Sequence, residues 1–306
     1  MKKLIAIVGT NASGKSGLGI GLARRYRGEV VSADSRQVYR GLDLGSGKVT
    51  PEETAGVPHH LLDVCDPGAF FTMADFQRLA YAAIDGIHSR GRLPFLVGGT
   101  GLYVDAVCDG YVLSNIEPDL AYRRELEKLD TPALYAMLTQ SEPDTQIDPQ
   151  NRNRVMRRLE KLHDGDTQAA RKQPRYDVLK IGVTWDRPTL CRRIDERLER
   201  RVEQGMIEEV QGLLDAGVSE DFLYRLGLEY RYISQYLLGK GGTREQMLEE
   251  LAKAIKRFAK RQMTWFRRDP AIHWIDMRGD APAEAAALID AFLNEGESIQ
   301  EGMYAN

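Results

Sequence analysis

The sequence predicts an α/β fold: a parallel sheet core flanked by helices, with an all-helical insertion domain. Three observations lead there. Short apolar runs rich in β-branched residues alternate with amphipathic helical patterns over the first hundred residues and again after residue 178. A glycine-rich loop joins the first of these runs to the first helical pattern. Between residues 112 and 177 the texture changes to short helical stretches with polar, proline-marked joints and no strand candidate. Uninterrupted apolar strands separated by helices are the mark of a sheet covered on both faces, and such sheets are parallel.

In chain order, residues 4–8 are wholly apolar and form a first strand, followed by a helix over 15–26. Residues 29–32 form a second strand, 72–90 an amphipathic helix, and 94–97 a buried strand that stops at Gly98-Gly99. Residues 119–129, 131–140 and 151–164 are the helices of the insertion. A strand pattern returns at 178–184, then helices at 190–205, 207–215 and 243–268, with a last strand at 273–275. The domains expected are a first part of the core at 1–111, the insertion at 112–177, the rest of the core at 178–295, and a flexible tail at 296–306.

Composition excludes several classes. The 306 residues, 42% hydrophobic and 28% charged, suffice for one large core with a smaller appended unit. A net charge of −3 gives no global attraction to nucleic acid, so RNA contact must come from local basic patches. Cys65, Cys108 and Cys191 are odd in number and widely spaced, as expected of reduced thiols and not of a disulfide framework. The apolar run near the N-terminus ends at Gly9 without a cleavage region, and no run approaches the ~20 apolar residues of a membrane span. A cytoplasmic, monomeric protein without membrane contact is expected.

Gly9-Thr10-Asn11-Ala12-Ser13-Gly14-Lys15-Ser16 matches GxxxxGK[ST] in full, after an apolar strand and at a helix start. Glycines let successive N–H groups face one anion, and the helix N-terminus adds partial positive charge. Lys15 neutralises phosphate oxygens and Ser16 is a ligand for Mg²⁺. The core is therefore P-loop NTPase-like. The loop fixes phosphate binding and leaves the reaction open among kinases, nucleotide (ATP) hydrolases and diphosphate-using transferases.

The segment after the second strand, Ser32-Ala33-Asp34-Ser35-Arg36-Gln37-Val38-Tyr39-Arg40-Gly41-Leu42-Asp43, narrows the choice. It resembles the string SADSxQVYxGMDIGTAKP of the bacterial tRNA dimethylallyltransferase (tRNA isopentenyltransferase) family. Matches continue in order through Val57-Pro58-His59-His60-Leu61, Asp75-Phe76, Gly98-Gly99-Thr100-Gly101-Leu102-Tyr103, Arg193-Ile194 with Arg197, and Lys260-Arg261-Gln262-Met263-Thr264-Trp265-Phe266. They span residues 4–275. The resemblance implies transfer of the dimethylallyl group from dimethylallyl diphosphate to N6 of adenosine 37, just 3′ of the anticodon, with release of diphosphate and help from Mg²⁺.

Residue by residue, the resemblance makes Asp34 the general base for the exocyclic amine, against a helix-cap or Mg²⁺-linked carboxylate as the plainer alternative. Ser35, Arg36, Gln37 and Gly101 become contacts to the tRNA, Gln37 having the amide for an adenine edge. Thr100 matches a threonine at the mouth of the substrate channel, its alternative being a plain N-cap. Arg197 matches the arginine that holds the diphosphate. Its helix also carries Arg192, Arg193, Arg200 and Arg201 among acids, and these are expected on a solvated, salt-bridged face. His59-His60 lacks partners for a metal site and is expected to be structural.

In the insertion, Arg152, Arg154, Arg157, Arg158 and Lys161 face Glu160 alone. The family writes DRQRxxRALE here, which places tRNA contacts on Asn153, Arg154, Val155, Met156 and Arg157, with Arg123 as a further candidate. A second basic run, 252–268, has no acid and includes Trp265 and Phe266, which suits phosphate contact or a basic helix with inward aromatics. Two departures stand out: the usual GTAKP reads Gly45-Ser46-Gly47-Lys48-Val49, and a usual VGYR-like string reads Leu228-Glu229-Tyr230-Arg231. The rivals are a prenyltransferase for free adenine nucleotides, a P-loop small-molecule kinase, and an RNA-binding module with a decayed site. The retained insertion, the Asp34–Gln37 segment and the intact Lys15, Ser16 and Asp34 weigh against them in turn.

Overall fold

A computed structural model describes residues 1–113, 119–166 and 171–295. They divide into two compact units, Met1–Gly110 with Pro174–Asn306, and Tyr111–Gln173. The expected tail at 296–306 lies outside the described residues.

The larger unit opens with β1 (Lys3–Gly9), α1 (Lys15–Arg25), β2 (Glu29–Ser32), β3 (His59–His60), α2 (Met73–Ser89), β4 (Pro94–Gly98) and α3 (Gly101–Cys108). The smaller unit comprises β5 (Tyr111–Val112), α4 (Leu120–Glu127), α5 (Thr131–Ser141), α6 (Arg152–His163) and β6 (Arg171–Lys172). The chain then returns through β7 (Asp177–Thr184), α7 (Arg187–Glu203), α8 (Met206–Asp215), α9 (Glu220–Leu226), α10 (Leu228–Leu237), α11 (Arg244–Phe266), β8 (Ile272–Asp276) and α12 (Ala281–Asn294).

The six strands of the larger unit pair in the order β3-β2-β4-β1-β7-β8, every pair parallel. β1 is central because its residues 4–8 are all apolar and buried on both faces. Its odd residues Ile5 and Ile7 join Phe95, Val97 and Leu179 under α1 and α12, while Leu4, Ala6 and Val8 join Val31 and Leu96 under α2 and α3. This two-residue alternation locks the register, since a slip by one would exchange the two cores. α2 begins with a reciprocal cap: Asp75 N–H donates to Thr72 Oγ1 at 3.0 Å and Thr72 N–H to Asp75 Oδ2 at 3.1 Å. Phe76 is fully buried and stacks on Tyr103 with centroids 4.0 Å apart. The Asp75-Phe76 match is therefore architectural. A third core joins Val38, Tyr39 and Leu42 to α7, α8, α10 and α11.

The structure corrects the expected all-helical insertion. Tyr111 and Val112 pair antiparallel with Lys172 and Arg171, so a short β-pair joins the ends of the smaller unit, whose bounds are Tyr111–Gln173 where 112–177 was expected. Two-residue strands of this kind carry no periodicity to read. Its core is Leu126, Leu134, Leu138, Val155, Met156 and Leu159.

Candidate active site

The turn after β1 is built by its glycines and by three side chains from distant helices and loops. A Cβ at Gly9 would press on Ser13 Oγ and Val183 at 2.8 Å, and Ala12 and Gly14 adopt left-handed φ of 60° and 89°. Arg193 Nε donates to Ala12 O at 3.0 Å and Trp185 Nε1 to Ser13 O at 2.9 Å. Because C=O and N–H point opposite ways across a trans peptide, these bonds turn the N–H groups of Ser13 and Gly14 to the other side. Asn11 N–H donates to Gln262 Oε1 at 2.9 Å, and Gln262 Nε2 donates to Gly99 O at 2.8 Å, tying the loop to the β4–α3 turn. Lys15 Nζ donates to Thr10 O at 3.2 Å. Burial, and next the nearby Arg197, push the Lys15 ammonium down to about 8.

The second loop follows β2. Asp34 Oδ1 accepts the Arg36 N–H at 2.9 Å, a turn closed by the side chain. Thr100 occupies the N-cap position of α3 but makes no capping bond. Its Oγ1 accepts the Ser35 N–H at 3.1 Å instead, joining this loop to the β4–α3 turn. Gly101 lies against the Trp265 indole, where a Cβ would collide with the ring, and Trp265 Nε1 donates to Asp105 Oδ2 at 2.9 Å. Trp265 thus packs inward. Arg36 is buried, and its Nη1 donates to Glu229 Oε2 at 2.5 Å. Burial opposes its charge, but Glu229 and Asp34 outweigh burial and hold Arg36 above the usual guanidinium range. Gln37 accepts from Ser32 Oγ at 2.8 Å and donates to Gly47 O at 3.1 Å, which commits one acceptor and one donor of its amide to the protein.

These loops enclose a narrow cavity lined by Lys15, Ser16, Asp34, Arg36, Arg197, Arg201 and Glu229 among others, opening beside the loop to a basin of about 670 Å³. Four cationic side chains meet two carboxylates there. Burial, and next Arg201, bring the Arg197 guanidinium down to about 9, and burial also lowers Arg201. Arg197 makes no ion pair or protein hydrogen bond among the described residues, and Arg201 has only the long contact to Glu229 at 3.7 Å. Buried guanidinium donors left without acceptors make an anion receptor.

The expectation that Arg193 and Arg201 sit on a solvated face is overturned: Arg193 braces the loop and Arg201, 12% exposed, lines the cavity. Helical spacing alone does not tell which side of α7 meets the β1 loop, because that side is polar as well.

The family model described as "IPP transferase" matches residues 37–269. The chain belongs to the IPP transferase family. A relative from Shewanella sediminis named tRNA dimethylallyltransferase 2 is 45% identical over 94% of this chain and 97% of its own. The full-length tRNA isopentenylpyrophosphate transferase structure from Bacillus halodurans matches with TM-score 0.76 at 41% identity, covering 98% of this chain and 100% of that one. A eukaryotic dimethylallyltransferase captured acting on tRNA matches with TM-score 0.83 at 25% identity, over 96% of this chain and 80% of its own.

Against the family's strings, the smaller unit places its residues in two ways. Asn153, Arg154 and Arg157 are exposed on α6. Val155 and Met156 point the other way and are buried in the unit's core, which removes their side chains from any RNA surface. Arg123 Nη1 and Arg157 Nη1 both pair with the buried Glu160, at 2.9 and 3.0 Å. Arg152 donates to Leu129 O and Arg158 to Glu142, so these two brace the fold. In the larger unit, His59 Nδ1 lies 2.8 Å from Val57 O and His60 Nε2 2.6 Å from Glu29 Oε2, in line with a structural pair.

Proposed function

We propose that this protein transfers the dimethylallyl group of dimethylallyl diphosphate to N6 of adenosine 37 of tRNA. The observation that carries the reading is the pair of buried arginines, Arg197 and Arg201, that converge with Lys15 on one cavity and donate no side-chain hydrogen bond to a protein acceptor among the described residues. A diphosphate supplies those acceptors, and Asp34 lines the same cavity. In the reaction the C1–O bond of the allylic donor breaks, its electron pair leaves with the diphosphate, and N6 forms the new bond to C1. The N6 proton passes to Asp34. With Oδ1 engaged by the Arg36 amide, Oδ2 is the oxygen that takes it. Thr100 and Ser35, joined to each other, fix the Asp34 loop against the β4–α3 turn.

No group of three or more His, Cys, Asp or Glu side chains suited to a metal occurs among the described residues. The donor set at the cavity is instead a hydroxyl and a carboxylate, Ser16 and Asp34. Such a set fits Mg²⁺ held mainly through phosphate oxygens and water, with Ser16 as its protein ligand, where it would offset charge on the leaving diphosphate. Arg154 and Arg157 supply tRNA phosphate contacts. Gly101 and Trp265 pack on each other where α3 meets α11.

Replacing Asp34 tests the chemistry. Asp34→Ala should bind inorganic diphosphate within about threefold of wild type while turnover falls by roughly 10²–10⁴, the usual worth of a positioned base. Turnover near wild type in that variant would remove Asp34 from the role.

A further inference from the structure

The two stretches that depart from the family's strings, residues 45–49 and 228–231, are distant in sequence but meet at one side chain, Arg201. Arg201 Nη1 lies 3.7 Å from Glu229 Oε1, and its Nη2 fills the space that a Cβ at Gly47 would take, with Arg197 Nη2 beside it. Tyr230 closes on Gly45 in the same way, its ring 2.6 Å from where a Cβ would stand. Where the family string has alanine, this chain has Gly47; where it has glycine, this chain has Glu229. Alanine at 47 would drive both guanidiniums aside, and its φ of 67° suits glycine only. Glycine at 229 would leave Arg36 and Arg201 buried with no carboxylate between them.

We propose that Gly47, Arg201 and Glu229 form one interdependent unit that adds a second diphosphate-binding arginine beside Arg197. Arg201 donates to phosphate oxygens of the donor. Glu229 is a positioning residue: its short bond goes to Arg36 at 2.5 Å, and the 3.7 Å contact to Arg201 is too long for a hydrogen bond, so the Arg201 donors stay free for an anion. Gly47 leaves the room in which both guanidiniums lie. The loop that carries it is rigid for the purpose: Glu209 accepts the N–H groups of Asp43, Leu44 and Gly45 at 3.0, 2.6 and 3.0 Å, and Tyr230 donates to the same carboxylate at 3.0 Å. The proposal rests on reading the cavity as a diphosphate site.

Calorimetric titration with inorganic diphosphate tests it on Arg201→Met, Arg201→Lys, Gly47→Ala, Glu229→Gln and the Arg201→Met/Glu229→Gln double variant. Arg201→Met should fold, with a melting temperature no lower than wild type because a repelling cation is gone, and bind diphosphate about tenfold more weakly. Arg201→Lys should recover part of the loss, as a point charge without the fork. Gly47→Ala should weaken diphosphate by displacing both guanidiniums. Glu229→Gln should melt lower than wild type, and adding Arg201→Met should restore part of that loss, a coupling seen only between side chains that interact. Diphosphate affinity unchanged in Arg201→Met, or strictly additive melting shifts in the double variant, would overturn the proposal. Because the readout is binding, a protein that needs Arg201 for diphosphate yet transfers no prenyl group would sink the functional reading and leave this one standing.

Discussion

Lys15 shows how one residue can be charged and still be tuned by its surroundings. Its ammonium sits among Arg36, Arg197 and Arg201, and burial with this repulsion lowers its proton affinity to about 8 in the anion-free protein. The negative charge of a bound diphosphate outweighs both effects and favours the protonated form. The sign follows: below pH 8 Lys15 already carries its proton and adds no pH dependence, whereas above pH 8 binding must draw a proton from solution. Affinity for inorganic diphosphate is therefore expected to fall as pH rises from 8 to 10, with proton uptake visible as a buffer-dependent binding enthalpy. A slope that is unchanged in Lys15→Met would mean that Lys15 does not meet the anion.

At the scale of elements, the edge of the sheet is fixed by a buried charge. Glu29 at the start of β2 accepts from Arg90 Nε at 3.0 Å, Arg90 Nη2 at 2.7 Å and Arg92 Nη1 at 3.2 Å, with His60 of β3 at 2.6 Å. The Arg90 hydrogen bonds, working against burial, hold its carboxyl down to about 2, below the ordinary 4.5. The resulting stability is present above pH 4.5 and is lost as pH falls from there towards 2. Since Arg90 and Arg92 are half exposed, Glu29→Gln should cost about 2 kcal/mol at pH 7 and flatten the acid limb of the unfolding profile, which denaturant melts would measure.

Helix α6 separates packing from recognition in the same residue-by-residue way. Met156→Ala should destabilise the smaller unit by about 2–4 kcal/mol. Arg154→Ala should leave its melting unchanged and reduce the salt slope of tRNA binding by roughly one. That division was only half legible in the sequence. The cationic stripe is plain in the spacing of Arg154 and Arg157, but the resemblance drew a continuous run through Val155 and Met156, which the helix turns inward. Helices α3 and α12 carry only a weak apolar periodicity, and α9 and α10 are short helices that meet at Gly227, so the sequence does not announce them, whereas α2, with its cap at Thr72 and Asp75, is legible to within a residue at each end.

Across the whole molecule, the parallel core was readable because residues 4–8 of β1 and all of β4 are apolar on both faces, and β7 is apolar but for Asp177, Lys180 and Thr184. The phosphate loop was readable because its glycines and Lys15 sit between such a strand and a helix. What the sequence hid were partners brought from far away: Trp185 and Arg193 holding the loop carbonyls, Gln262 joining Asn11 to Gly99, and Arg201 and Glu229 in the cavity. No local pattern encodes a contact across two hundred residues. The account's central claim is that this cavity joins an allylic diphosphate to an adenosine carried on tRNA. Incubation with labelled dimethylallyl diphosphate and an equimolar mixture of tRNA and AMP, followed by separation of the two acceptors and nucleoside analysis, tests it directly. Label confined to N6 of adenosine 37 in the tRNA is expected; label on AMP alone, or phosphoryl transfer from ATP in its place, would contradict it.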